Sequence, residues 1–162
     1  ASEWSGITPD LIVLAKSIAS GLPLSAVVGR EEIMDTVQPN GIGGTFNGNP
    51  VCVEAAIATI KEMKRLHLEK RALKMGKIMA HCLQRIFKKS LFILEARGLG
   101  MMRALEIDTS DRTKNLIKKM AEHGLLALPC GFHGNVIRFL PPLVISGKDI
   151  QRGLKIIEKV TL

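Results

Sequence analysis

The sequence predicts an α/β protein. Three observations carry that expectation: short apolar runs rich in β-branched residues, longer stretches whose apolar residues recur at helical spacing, and glycine- and proline-rich breaks between them. Over 162 residues, 46% hydrophobic and 23% charged content matches an ordinary globular chain and sets aside disordered and fibrous classes.

The elements follow in order. Ala1-Ser-Glu-Trp4 opens without a Met or a helix cap. Leu11–Ala15 is a short apolar run that suits a fully buried parallel strand. Gly21-Leu22-Pro23 breaks it, Ser25–Gly29 reads as a second strand, and Arg30–Val37 as a short helix with an acidic first turn. Asn40–Pro50 is a loop, because so much permissive backbone would weaken a helix or strand. Pro50 sits where a helix starts, and Val53, Ala56, Ile57, Ile60 and Met63 follow at helical spacing. A second helix places Leu68, Ala72, Met75, Met79, Cys82 and Ile86 on one face.

Phe92–Glu95 and Met101–Ile107 read as strands around Arg97-Gly98-Leu99-Gly100, a structural turn. Thr113–His123 is a helix buried through Leu116, Ile117 and Met120, with Gly124 closing it. Leu125–Leu128 and Val136–Leu140 are further strands. Ser146-x-x-Asp149 caps the last helix, which is buried through Ile150, Leu154 and Ile157. The texture changes after about Leu66, giving a first piece over 1–66 and a compact α/β piece over 67–162.

The formal charge of +8 raises the question of a nucleic-acid partner. The basic residues are scattered along helix-like stretches such as Lys61–Arg71 and Lys114–Lys119, with no interleaved aromatics, so they read as solvated helix faces. Cys52, Cys82 and Cys130 fit neither zinc-ligand spacing nor a paired disulfide framework and read as reduced thiols. His67, His81, His123 and His133 fall at no metal-like spacing, and no apolar run reaches the length of a membrane span. These features point to a soluble, cytoplasmic protein without a metal, nucleic acid or membrane partner.

Three places carry candidate chemistry. Lys16 ends the first apolar run, where an unpaired ammonium is costly to bury. Such a lysine is either at the surface or chemically employed, with desolvation freeing the amine to attack a carbonyl. Gly43-Gly44-Thr45-Phe46-Asn47-Gly48-Asn49-Pro50 is either a plain turn or a loop whose N–H groups, with the following helix start, admit a phosphate. Arg138 interrupts an apolar strand between Ile137 and Phe139. Its planar fork suits a carboxylate, from a protein Asp or Glu or from a ligand. His133, in the loop before it, borders that place.

Taken together, the motifs resemble those of class-III aminotransferases. Asp10-Leu-Ile-Val-Leu-Ala-Lys16-Ser-Ile-Ala-Ser-Gly-Leu-Pro-Leu is similar to the segment bearing that family's cofactor lysine, with Ser20 in place of a common glycine. Gly43–Pro50 resembles the Gly-Gly-Thr-aromatic-x-Gly-Asn-Pro element, and Cys130–Leu143 looks most like the 4-aminobutyrate branch. The resemblance implies pyridoxal 5′-phosphate (PLP) held covalently by Lys16. It further implies Thr45, beside Gly44, on the phosphate of a neighbouring subunit, and hence a homodimer sharing its active site. Arg138 would grip the α-carboxylate of glutamate or 2-oxoglutarate.

The implied fold is the C-terminal part of a fold-type-I PLP enzyme: the end of the large PLP-binding domain over 1–66, then the small C-terminal α/β domain over 67–162. The family's pyridine-pairing aspartate, phosphate cup, ring-stacking aromatic and second substrate arginine would lie upstream, so the chain is expected to be a portion of a longer protein with an exposed apolar sheet edge. The Ile107–Thr113 connection is shorter than the family's usual one. The implied activity is transamination of an ω-amino acid such as 4-aminobutyrate with 2-oxoglutarate. Ornithine, acetylornithine and diaminobutyrate aminotransferases share the Lys16 and Thr45 motifs and stay open. So does an incomplete fragment serving only as a dimerising or binding module.

Overall fold

The computed structural model of the chain describes residues 2–39 and 41–162. Ala1 of the uncapped opening and Asn40 of the expected loop lie outside the described residues. The chain divides into two compact units, Ala1–Leu66 and His67–Leu162.

In the first unit, Ser2–Ser5 form a 3-10 turn. Strand β1 (Leu11–Leu14) pairs antiparallel with β2 (Ala26–Gly29), in register from Leu11 opposite Gly29 to Leu14 opposite Ala26. This corrects the expectation of a buried parallel strand. All four β1 residues are exposed, Val13 at 74%, because two strands alone cover neither face. Val27 and Val28 of β2 are exposed as well. Between the strands Lys16–Ala19 form a 3-10 turn, and after them α1 (Glu31–Met34) is shorter than the expected helix.

Helix α2 (Pro50–Arg65) begins at the expected proline. Asn49 caps it: its Oδ1 accepts from the N–H groups of Val51 at 3.0 Å and Cys52 at 3.3 Å. Of its residues, Cys52 and Ala56 are buried, whereas Ile57, Ile60 and Met63 of the expected face are exposed. The 3-10 turn rests on this helix, with Ala19 1% exposed and the Ser20 and Thr59 hydroxyls 2.9 Å apart.

The second unit is a four-stranded antiparallel sheet of order β3-β4-β6-β5 with three helices on one face. Helix α3 (Leu68–Lys89) buries Leu68, Gly76, Met79, Leu83 and Ile86. Ala72, Met75 and Cys82 of the expected face are half-buried. Strands β3 (Ile93–Leu99) and β4 (Met102–Ile107) form a hairpin turning at Gly100-Met101. Arg97–Leu99 therefore belong to the strand and not to the turn expected there.

Helix α4 (Ser110–Glu122) starts three residues before the expected Thr113, because Thr109 Oγ1 accepts from the Arg112 N–H at 3.2 Å. It ends as expected at Gly124, φ +84°. Gly124 N–H donates to Ala121 O and Leu125 N–H to Met120 O, both at 2.9 Å, which is the paired closure of a Schellman motif. That closure also explains a correction: Leu125–Ala127 leave the helix as coil, so β5 spans Leu128–Cys130, later than expected. Strand β6 (Val136–Phe139) follows. In α5 (Gly147–Thr161) the cap is the expected one, Ser146 Oγ accepting from the Asp149 N–H at 3.1 Å.

Leu105, Ile107, Met120, Ile137 and Ile86 are wholly shielded and form the centre of the core. Truncating such a residue to alanine costs about 2–5 kcal/mol. Leu105 and Ile137, Cα partners, point to the helices, while Ala104 and Arg138, also partners, point away.

Candidate cofactor and substrate site

Lys16 follows β1 directly and is exposed. Its φ is +57°, a left-handed conformation that costs a non-glycine residue roughly 1–2 kcal/mol. Ser20, closing the same turn, has φ +48°. The turn is held by Ala19 and Ser20 against α2, so the strained backbone aims the lysine from a supported platform. The desolvation expected for this amine is not supplied by the described residues. No described ion pair involves Lys16.

The glycine-rich segment is a loop, as expected. Gly43 has φ +120° and Gly48 φ +63°, and Asn47 N–H donates to Gly44 O at 3.0 Å. Gly44, Thr45 and Phe46 are exposed, and their N–H groups enter no described hydrogen bond. A side chain at Gly44 would meet nothing within 4 Å. The expected help from the start of α2 is absent, however. Pro50 has no N–H, Val51 and Cys52 donate to Asn49 Oδ1, and Val53 donates to Asn49 O at 3.0 Å. Anion donors in this segment are thus the Thr45 hydroxyl and the loop amides.

In the second unit Arg138 lies on the open face of the sheet, opposite Ala104 of β4 and Leu128 of β5. It is exposed and takes part in none of the described ion pairs. The alternative of an internal Asp or Glu partner is therefore not met among the described residues. A guanidinium standing free on an open face retains its bidentate geometry for an external carboxylate.

Sequence reasoning missed the charged network beside it. Arg97 Nη1 donates to both Glu95 and Glu106, and Asn135 Nδ2 reaches Glu106 Oε1 at 3.5 Å and Ile107 O at 3.0 Å. The hydrogen bond from Arg97 holds the Glu106 carboxyl below the ordinary carboxylate range, and the same bond raises Arg97. The signal was the alternation Glu95-x-Arg97 with Glu106 on the partner strand, which became legible only with the register. Arg103 plays a structural part: it donates to Gly100 O at 2.8 Å and Gly98 O at 2.6 Å, closing the hairpin turn. His133 is exposed in the β5–β6 loop, edge-on to Phe132 with ring centroids 6.4 Å apart. Among the described residues no group of His, Cys, Asp and Glu is placed to hold a metal ion.

The comparisons with known proteins agree with the motifs. The family model for class-III aminotransferases matches residues 1–161. A 4-aminobutyrate aminotransferase of Mycobacterium leprae is 42% identical over 99% of this chain and 37% of its own length. A 5-aminovalerate aminotransferase of Pseudomonas aeruginosa is 39% identical over 97% of this chain and 39% of its own. Among solved structures, an ornithine aminotransferase of Toxoplasma gondii, described with PLP at partial occupancy in its active site, superposes with a TM-score of 0.92 at 35% identity. That match covers 99% of this chain and 38% of the other.

The chain belongs to the class-III aminotransferase family, whose members are PLP-dependent and act on amino and oxo acids. It spans a little over a third of the length of the curated relatives it matches. Its own residues fit that cofactor chemically: an exposed amine for an aldehyde, and a loop of open amides with a hydroxyl for a phosphate.

Proposed function

We propose that this chain is part of a PLP-dependent aminotransferase that moves the amino group of an ω-amino acid such as 4-aminobutyrate to 2-oxoglutarate. The observation that carries this is Lys16: an exposed amine, in a supported left-handed turn, at the end of a strand in the family's cofactor-lysine segment. Backbone strain held in place by neighbouring residues is a mark of function. In this reading residues 1–66 are the end of the large PLP-binding domain and 67–162 the small C-terminal domain.

Lys16 holds the cofactor, and Gly44 and Thr45 hold its phosphate from the neighbouring subunit of a homodimer. When bound, PLP supplies an aldehyde for amines and a conjugated ring that accepts an electron pair. Lys16 Nζ moves a proton to and from the amine-bearing carbon of the substrate, as a general base within hydrogen-bond reach. Arg138 orients the dicarboxylate by a two-pronged grip on its α-carboxylate. The protein is cytoplasmic in this reading; among the described residues no helix is long and apolar enough to cross a membrane.

The test uses the PLP-loaded enzyme and its two half-reactions. Removing one partner of a desolvated charged contact costs about 2–5 kcal/mol. Arg138→Ala should therefore cripple the reaction with 2-oxoglutarate and spare that with 4-aminobutyrate. Equal losses in both, with folding intact, would make Arg138 structural.

A further inference from the structure

Glu106 faces two arginines. Ala104 pairs with Arg97 on one side and Arg138 on the other, and Glu106 is the next residue of β4 on the same face. It therefore lies diagonally from both, a separation of about 7–8 Å that long side chains span. The small side chain of Ala104 screens neither path. Glu106 bonds Arg97, which also bonds Glu95, the direct cross-strand partner of Glu106. Two carboxylates placed opposite each other repel unless a cation sits between them, and here Arg97 is that cation.

We propose that Arg97 is a positioning residue for substrate recognition: by holding Glu95 and Glu106 it keeps Glu106 from pairing with Arg138 and leaves that guanidinium open to the carboxylate of a dicarboxylate substrate. This rests on the reading of Arg138 as the substrate's carboxylate clamp. Without Arg97 the charged strand residues described on this face are Glu95, Glu106 and Arg138. Arg103, on β4, points to the opposite side of that strand and is engaged by Gly98 O and Gly100 O. Glu106 then turns to Arg138 and competes with the substrate. Because the competitor is part of the chain, its effect falls on substrate affinity and not on the chemical step.

The experiment measures binding of glutarate, a dicarboxylate without the reactive oxo group, to the PLP-loaded enzyme by calorimetry, with KM for 2-oxoglutarate and kcat alongside. An exposed ion pair is worth about 0.2–1 kcal/mol, so Arg97→Gln should weaken glutarate binding and raise KM by about 1.4- to fivefold with kcat nearly unchanged. Arg97→Gln combined with Glu106→Gln should restore both, since the competing carboxylate is gone. Arg97→Lys keeps one cation but not the planar fork; it should show a smaller loss with the same recovery, and it decides the matter if Arg97→Gln does not fold. Unchanged binding in the folded Arg97 variants overturns the inference. So does a double variant as weak as the single one, which would make Arg97 merely structural. Arg138→Ala separates the two ideas. If it binds glutarate like wild type, the reading of Arg138 falls and this inference with it; if it loses glutarate while the Arg97 variants do not, only the role of Arg97 falls.

Discussion

Gly76 in the middle of α3 is the position where helix propensity and tertiary contact disagree most sharply. An exposed helical glycine replaced by alanine gains about 1 kcal/mol. Here the added methyl would stand 2.0 Å from Gly100 O and 2.2 Å from Gly100 C, where ordinary contact begins at 3.4 Å. The shortfall of 1.4 Å (3.4 less 2.0) is against backbone. That backbone is the hairpin turn itself, with Gly100 at φ +53° and its carbonyl already accepting from Arg103. Neither side can rotate away, so α3 and the hairpin must part, and overpacking of this kind costs about 1–3 kcal/mol, occasionally more. With backbone on both sides the cost falls in the upper part of that range, so the contact outweighs the propensity gain of about 1 kcal/mol and Gly76→Ala should destabilise the second unit by roughly 1–2 kcal/mol. For a unit of this size that is a fall in Tm of about 4–8 °C per kcal/mol, read by circular dichroism or calorimetry. A Tm equal to or above wild type would refute the close approach.

Three further outcomes are expected. Borohydride reduction of the PLP-loaded enzyme followed by peptide mapping should place the pyridoxyl label on Lys16, and a label on any other lysine sinks that assignment. In a dimeric structure with cofactor, the Thr45 hydroxyl should lie nearer the partner subunit's phosphate than its own; a phosphate held wholly within one subunit would mean that Thr45 is misassigned. Because the Arg97 hydrogen bond depresses Glu106, the stability this pair contributes is fully present above the ordinary carboxylate range and is lost as pH falls through the lowered folded value. Acid unfolding compared with Glu106→Gln should show the wild-type advantage fading only below about pH 4. An advantage that is constant down to about pH 2 would contradict the linkage.

Local physical chemistry made most elements legible from sequence. Pro50 at a helix start, Gly124 at a helix end and Ser146-x-x-Asp149 as a cap depend on the backbone groups of one turn, and each stands where its residues predict. The motifs around Lys16, Thr45 and Arg138 were enough to indicate the family. Burial was another matter. Leu11–Leu14 is apolar in the manner of an interior strand, yet it is exposed, because burial depends on what covers a strand and not on the strand's own residues. The start of α2 showed the same limit. A glycine loop before a helix suggested an anion site at that helix, but the Asn49 side chain had already taken the donors.

What the sequence by itself determined was therefore what one segment settles alone: periodicity, capping and motif. What only the tertiary structure decided was which residues from separate strands meet. Glu95, Arg97, Glu106 and Arg138 share one face because the β3–β4 and β4–β6 registers place them there. Gly76 must be glycine because the β3–β4 turn, more than twenty residues on in the chain, comes to rest against it. In a sheet, a shift of one residue in register sends every side chain to the opposite face. The chemistry of that face is thus a property of strand pairing, and no single segment contains it.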